Sequence, residues 1–587
     1  MRDFLKFTLA SIVGMLVVGL LTLFIFIGVI TAIVSSGDQI VTVEDNSILH
    51  LDLDAQIIER ATNNPFEELD IPGFEGSKKI GLNDILACIK KAKTDDRIKG
   101  IYLDPTEVSA GIATVEEIRK ALIDFKESKK FIYAYGEFMS QKAYYLATAA
   151  DTIVLNPQGA IDFRGLGGER NFYKKGLEKL GVEVQIVRHG KFKAAVESFT
   201  REDMSPENRE QTLSYLTGIW SEMLQDISVA RGITVDELNR IANQVATFRK
   251  GDFSLENKLV DELKYFDQVL DDLKELSGIS LKKDLKTIEV AKYKKVPSTE
   301  TKGLIRDKIA VVYASGEIDG FGDEGIKSDE LSKAIRLARR DSTVKAIVLR
   351  INSPGGSAYG SDVIWREVKL ASEVKPVIAS MGDVAASGGY YIAAAADTII
   401  ADRTTITGSI GIFGMIPNAG ELLNDKLGIT QDVVTTNEHS DMPSLTRKMT
   451  PFEQDLMQSM VENGYDTFIG RVADGRQMTK PEVDEIGQGR VWASVKAKEL
   501  RLVDLHGGIA EAIELAKEMA GLENYRISEY PKLKDPIDEL IKQLSGSAKM
   551  SFIRSELGEN YRYYEQLKSA LSTKGIMARM PYDISIN

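Results

Sequence analysis

The sequence predicts an α/β protein in which one domain is written twice behind an apolar N-terminal helix. Three observations predict it. Residues 136–154 (GEFMSQKAYYLATAADTIV) align with residues 382–400 (GDVAASGGYYIAAAADTII), with nine of 19 positions identical at an offset of 382 − 136 = 246. β-branched runs alternate with segments of helical spacing, which argues for largely parallel sheets. No residue from Thr8 to Gly37 is charged.

The N-terminal run comes first. About 20 apolar residues span a bilayer core, so 8–37 reads as a transmembrane signal anchor after a stub of residues 1–7. The run is too long for a cleaved signal peptide, and no small-residue cleavage site follows it. Arg2 and Lys6 precede it while Asp38, Glu44 and Asp45 follow. The positive-inside rule then keeps the stub in the cytoplasm and sends the remainder across the membrane.

The repeat organises the rest, with copies at 45–275 and 306–525. The same offset aligns DDRIKGIYL (95–103) with DSTVKAIVL (341–349), and Ile85 and Ile89 with Leu331 and Ile335. Lys-rich residues 282–303, within 276–305, read as an exposed linker, and 526–587 as a charged tail. In the second copy, 309–318, 346–354, 376–383 and 397–402 read as strands. Residues 325–340, 361–373 and 386–396 read as helices.

Composition narrows the chemistry. The 587 residues carry 74 Lys plus Arg against 87 Asp plus Glu, a net charge of −13. That balance argues against general nucleic-acid binding, which needs clustered surplus cations. Cys88 is the lone cysteine, and His50, His189, His439 and His506 are the only histidines. An intramolecular disulfide and a Cys-rich zinc site are thereby excluded, and no H-E-x-x-H motif is present. No metal or cofactor is expected.

A duplication retains packing residues in both copies, so chemistry is sought where the copies diverge. The second copy has Ser353-Pro354-Gly355-Gly356 after a strand, where the first has Glu107-Val108-Ser109-Ala110. Paired glycines let backbone N–H groups approach a ligand, as in an oxyanion hole, although a plain tight turn has the same look. Ser409, in TITGSIGIFG, aligns with Phe163. It either projects a hydroxyl into a cleft or is one more loop serine; the nucleophile-elbow pattern is absent, since Thr407 stands at its first glycine. Lys193, in GKFKAAVES, has no counterpart in the second copy. The apolar residues after it could bury its stem and lower its pKa, making it a base; the alternative is a solvated surface charge such as Lys191.

Together these motifs resemble the S49 family of serine peptidases, the signal peptide peptidase A type, in its long duplicated form. GKFKAAVESFTREDMSP, INSPGGSA, DVAASGGYYIA and TITGSIGIFG carry the resemblance over nearly the whole chain. It implies tandem ClpP/crotonase-like domains and a Ser–Lys dyad, with Ser409 as nucleophile, Lys193 as general base and acid, and Gly355 and Gly356 as oxyanion-hole donors. It also implies a homotetramer, apolar signal-peptide substrates and a bacterial inner-membrane protein with its catalytic part on the periplasmic side. The active site is then divided between the copies. Ser387 occupies the nucleophile position of ClpP proteases, but those need a His–Asp pair, and only His439 lies near. Ser387 reads instead as a helix-start cap or cleft residue, and Thr435 or Thr436 as candidates to orient the lysine. The competing functions are a catalytically silent membrane scaffold, which would lack one of these motifs, and acyl-CoA chemistry, which the anchor opposes.

Overall fold

A computed structural model of the chain describes residues 2–37, 41–61, 79–297, 305–320, 325–533 and 575–580. Helix α1 (Arg2–Gly37) leads. In the first unit, β1 (Ser47–Asp52), β2 (Ile98–Asp104), β3 (Phe131–Met139) and β4 (Thr152–Ile161) alternate with α2 (Leu82–Thr94), α3 (Ile112–Phe125) and α4 (Gln141–Ala147). Strand β5 (Glu183–Arg188) leaves this sheet, and α5 (Pro206–Arg231) follows it. β6 (Glu262–Leu263) and β7 (Thr287–Glu289) complete a fully parallel sheet of order β6-β4-β3-β2-β1-β7.

The second unit repeats the plan. Its elements are β8 (Lys308–Ser315), α6 (Ser328–Arg340), β9 (Val344–Ser353), β10 (Gly355–Ser357), α7 (Ala358–Ser372), β11 (Val377–Ala386) and α8 (Gly388–Ala393). There follow β12 (Thr398–Ala401), β13 (Ile406–Gly408), β14 (Phe413–Asn418), β15 (Val491–Ala493), β16 (Leu505–His506), α9 (Ile509–Met519), β17 (Arg526–Tyr530) and β18 (Gly575–Arg579). The parallel order β16-β12-β11-β9-β8-β17 reproduces that of the first sheet. Ala310, Val312 and Ala314 enter one apolar cluster while Ile309 and Val311 enter another, so β8 is buried on both faces. That is why it reads as an unbroken apolar run.

The identities shared by the copies are packing positions. Tyr144 donates to the Leu259 carbonyl and Tyr390 to the Leu502 carbonyl, both at 3.0 Å. Asp151 accepts from Ile132 N–H and Asp397 from Val377 N–H, both at 2.8 Å.

The two units share one interior. Ala386, Ile406, Val491 and Ala493 belong to the apolar cluster of the first unit. Beside it lies a buried ionic network. Arg350, fully buried on β9, bonds Glu59 at 2.7 Å and also Glu117 of α3. Glu116 accepts from Thr404 N–H at 3.1 Å and from its hydroxyl at 2.8 Å.

Two expectations need revision. Residues 282–297 are no exposed linker: Ile288 on β7 and Val290, Tyr293 and Val296 beyond it are buried in the first unit, because their spacing offers one apolar face. The tail does not begin at 526, since β17 pairs with β8 as an edge strand. Most of the remaining tail, 534–574 and 581–587, and residues 298–304 of the linker lie outside the described residues. The expected membrane span falls partly outside the side chains described on α1, and among the described residues no helix is long and apolar enough to cross a membrane.

Arg350→Met leaves two carboxylates buried without their cation, so urea unfolding of the full chain should show a loss of about 3–5 kcal/mol. The exposed pair of Lys448 with Glu183 provides the contrast, and Lys448→Met should change stability by less than about 1 kcal/mol.

Candidate active site

Strands β9, β11 and β13 are neighbours in the second sheet and end side by side. Ligands of parallel sheets bind beyond such carboxyl ends. Just beyond these ends stand Gly355, Ser387 and Ser409. Ser387 and Ser409 adopt φ values of +54° and +51°, a region that costs a non-glycine residue about 1–3 kcal/mol and clusters at functional sites. Both backbones are pinned: Ser387 N–H donates to the Gly408 carbonyl at 2.8 Å, and Ser409 N–H to the Arg490 carbonyl at 2.7 Å.

Lys193 arrives from the first unit. Strand β5 crosses over and pairs antiparallel with β14, Arg188 standing opposite Phe413. Lys193 lies five residues beyond Arg188, and Ser409 four residues before Phe413, so this register carries both towards one point. Phe192 N–H donates to the Gln488 carbonyl at 3.1 Å. The backbone of Lys193 lies flat on Gly489, where an added Cβ would stand 2.7 Å from its Cα; Gly489 also has φ +83°. The Lys193 amine is fully buried, 2.9 Å from Ser387 Oγ, 3.1 Å from Ser409 Oγ and 3.1 Å from the Ser409 carbonyl. Burial alone pushes its pKa well below the usual lysine range. A neutral amine has two N–H donors and one lone pair, which matches these three contacts: two donated and one accepted from a serine hydroxyl.

The first copy has filled the corresponding space. Phe163, aligned with Ser409, is fully buried against Tyr144 and Trp220. Gln141, aligned with Ser387, accepts from the N–H groups of Arg164 and Gly165 at 3.1 and 3.0 Å.

The glycine turn is where it was expected, with φ of +99° at Gly355 and +156° at Gly356. Its N–H groups differ, however. Gly355 N–H donates to Ser353 Oγ at 3.2 Å, whereas Gly356 lies on β10 facing the antiparallel strand β18. A Cβ on Gly355 would stand 2.7 Å from the nitrogen of Gly388, so the first N–H of α8 borders the same space. Sequence reasoning missed Gly388; the run Ser387-Gly388-Gly389 at a predicted helix start was the available signal.

Other expectations shift. The Ser387 hydroxyl makes no capping bond to its helix and lies on Lys193 instead. Thr435 and Thr436 are exposed, and Thr436 bonds Asn437. His439 stacks on Phe452 and His189 on Tyr465. Burial raises the Cys88 thiol to about 12, far from thiolate reactivity.

A duplicated α/β chain with two strained, buried serines around a buried amine of lowered pKa holds the groups of a serine hydrolase. The model of peptidase family S49 matches residues 124–280 and 369–523. "Protease 4" of Salmonella typhi is 37% identical over 85% of this chain and 83% of its own. "Serine protease SPPA, chloroplastic" of Arabidopsis thaliana is 34% identical over 84% of this chain and 72% of its own. The "Putative signal peptide peptidase SppA" of Enterococcus faecium is 33% identical over 41% and 68%. The chain belongs to peptidase family S49 and is a serine peptidase.

The depressed pKa of Lys193 has a stability signature. Between the lowered pKa and 10.5 the unfolded chain holds a proton that the folded chain has released, so folding gains stability as pH rises through that window. Thermal unfolding should therefore show wild type gaining on Lys193→Met through the alkaline range, with the difference constant above it. A pH-independent difference would mean that the amine is charged in the fold.

Proposed function

We propose that the chain is a membrane-anchored endopeptidase that degrades signal peptides already released from preproteins, with Ser409 as nucleophile and Lys193 as its base. The observation that carries this reading is the uncompensated burial of the Lys193 amine 3.1 Å from Ser409 Oγ. Membership of family S49 and the motif TITGSIGIFG support Ser409 over its neighbour. Ser409 Oγ attacks the scissile carbonyl as its proton passes to Lys193 Nζ. The N–H groups of Gly356 and Gly388 hold the oxyanion. Lys193 returns the proton to the leaving amine, and a water deprotonated by the same amine then hydrolyses the acyl-enzyme. Ser387 Oγ, at 2.9 Å, holds the amine in line as a positioning residue.

That same short contact favours a second reading, in which Ser387 attacks and Ser409 positions. A fluorophosphonate probe separates them. Labelling should be lost in Ser409→Ala and retained in Ser387→Ala, and Lys193→Ala should lower kcat by at least about 10³-fold. Labelling that survives Ser409→Ala and vanishes in Ser387→Ala reverses the roles.

Each unit is proposed to be a ClpP/crotonase-type domain, which the repeated parallel order supports. The name of the Enterococcus faecium relative supports signal peptides as substrates. The uncharged stretch from Thr8 to Gly37 supports a single span, with the catalytic part outside the bacterial inner membrane. A homotetramer is proposed from the family resemblance, and exposed Leu427, Ile429, Val433 and Val434 offer an apolar surface for it. The full chain should remain in carbonate-washed membranes, while a chain beginning at residue 45 should be released.

A further inference from the structure

Lys193 is followed by a run of buried polar side chains that the dyad does not use. Glu197, Ser205, Asn208 and Gln211 are among them, Asn208 and Gln211 completely enclosed. Their bonds form one chain. Glu197 accepts from Ser205 N–H at 3.2 Å, from Ser205 Oγ at 2.5 Å and from Asn208 Nδ2 at 2.9 Å. Asn208 Oδ1 accepts from Gln211 Nε2 at 3.3 Å, and the same Nε2 donates to the Phe192 carbonyl at 3.1 Å. Gln211 Oε1 accepts from Val491 N–H at 3.1 Å.

The direction of this chain is dictated from both ends. A carboxylate accepts, so Asn208 turns its NH2 to Glu197 and its oxygen to Gln211. Gln211 must then turn its NH2 towards Asn208, which leaves its oxygen for Val491. The far end demands the same orientation, since a carbonyl at Phe192 needs a donor and an N–H at Val491 needs an acceptor. Those two groups flank the reacting ones. Phe192 precedes Lys193. Val491 opens β15 opposite Gly408 of β13, and Gly408 precedes Ser409. The Arg490 carbonyl, next to Val491, accepts from Ser409 N–H at 2.7 Å. One amide therefore spans the peptide before the lysine and the strand that holds Ser409. Outside it, the Arg490 guanidinium lies 4.6 Å from the Phe192 ring and 4.3 Å from that of Trp492, and pairs with Glu210 at 2.7 Å.

We propose that Gln211 is a positioning residue that sets the spacing of Lys193 and Ser409, and that Glu197 fixes the orientation in which it does so. The proposal rests on the dyad reading given above. A methionine at 211 has a similar volume but neither donor nor acceptor, so the Phe192 carbonyl and Val491 N–H would lose their buried partner. The link between the lysine and the Ser409 strand then loosens, and a misplacement of about 1 Å costs about 10²-fold in rate. Substrate binding is spared, because Gln211 is fully buried behind the segments it joins.

The test compares peptide hydrolysis and fluorophosphonate labelling rates of the full wild-type chain with those of Gln211→Met, Glu197→Gln and Met223→Ala. Met223 is fully buried on α5 among apolar residues, so its truncation reports loss of packing alone. Gln211→Met should lower kcat and the labelling rate together by about 10- to 100-fold, with KM within about twofold of wild type. The base acts as a neutral amine, so the rate rises as pH climbs through its pKa. Water admitted beside the amine raises that pKa, and the acid limb of the profile should move to higher pH. Glu197→Gln keeps the volume and should move both readouts the same way by a smaller factor, which also serves if Gln211→Met does not fold. Met223→Ala should lower Tm and keep the kcat and acid limb of wild type. Wild-type kcat and acid limb in Gln211→Met and Glu197→Gln overturn the proposal, as does a fall in kcat shared with Met223→Ala while the limb stays in place. A Lys193→Ala chain as active as wild type would remove the dyad itself, and with it this role for Gln211.

Discussion

A lysine amine buried without a counter-charge is the constraint on which the rest of this structure depends. Burying an ammonium unpaired costs several kcal/mol even after relaxation, and the group avoids that cost by giving up its proton. Lys193 is fully buried, and desolvation is the cause of its lowered pKa. Such a site works only if water is kept out and the stem is held. Gly411 and Gly489 do this by letting the second unit's backbone lie against the lysine, where any side chain would intrude. The pKa of one unit's amine is thus lowered by its burial against the backbone of the other.

That dependence explains why the two units are joined so firmly. Arg350 reaches from the second sheet to Glu59 and Glu117 of the first unit, and Glu116 receives Thr404. Rigid-body slippage between units would break buried ion pairs as well as the β5–β14 ladder that brings Lys193 to Ser409. At the aligned positions the first copy buries Phe163 and Gln141 in its core, while the second has hydroxyls at both.

Much of this was legible in the sequence because short-range physics writes it there. The run Ile309–Ala314 is apolar at every position because β8 is covered on both faces. The repeated Tyr and Asp-Thr-Ile identities persist because Tyr144 and Tyr390, and Asp151 and Asp397, bond equivalent backbone groups. Ser409 and Lys193 stood out as divergences between copies. The residues that escaped notice depend on long-range pairing. Ile288 and Tyr293 sat in a Lys-rich stretch whose charge outweighed their spacing, Gly388 looked like a helix start, and Met577-Ala578 lay in a tail with no local sign of a strand.

The sequence by itself determined that there are two copies of one α/β unit, and which residues distinguish them, since periodicity and self-similarity are local properties of the chain. Only the tertiary structure decided that Lys193 and Ser409 lie 3.1 Å apart although 216 residues separate them. It alone set the Ser387 hydroxyl on the same amine and the C-terminal strand between β10 and β14. Distances of this kind come from sheet register and from the packing of one unit on the other. Neither is encoded within any single segment.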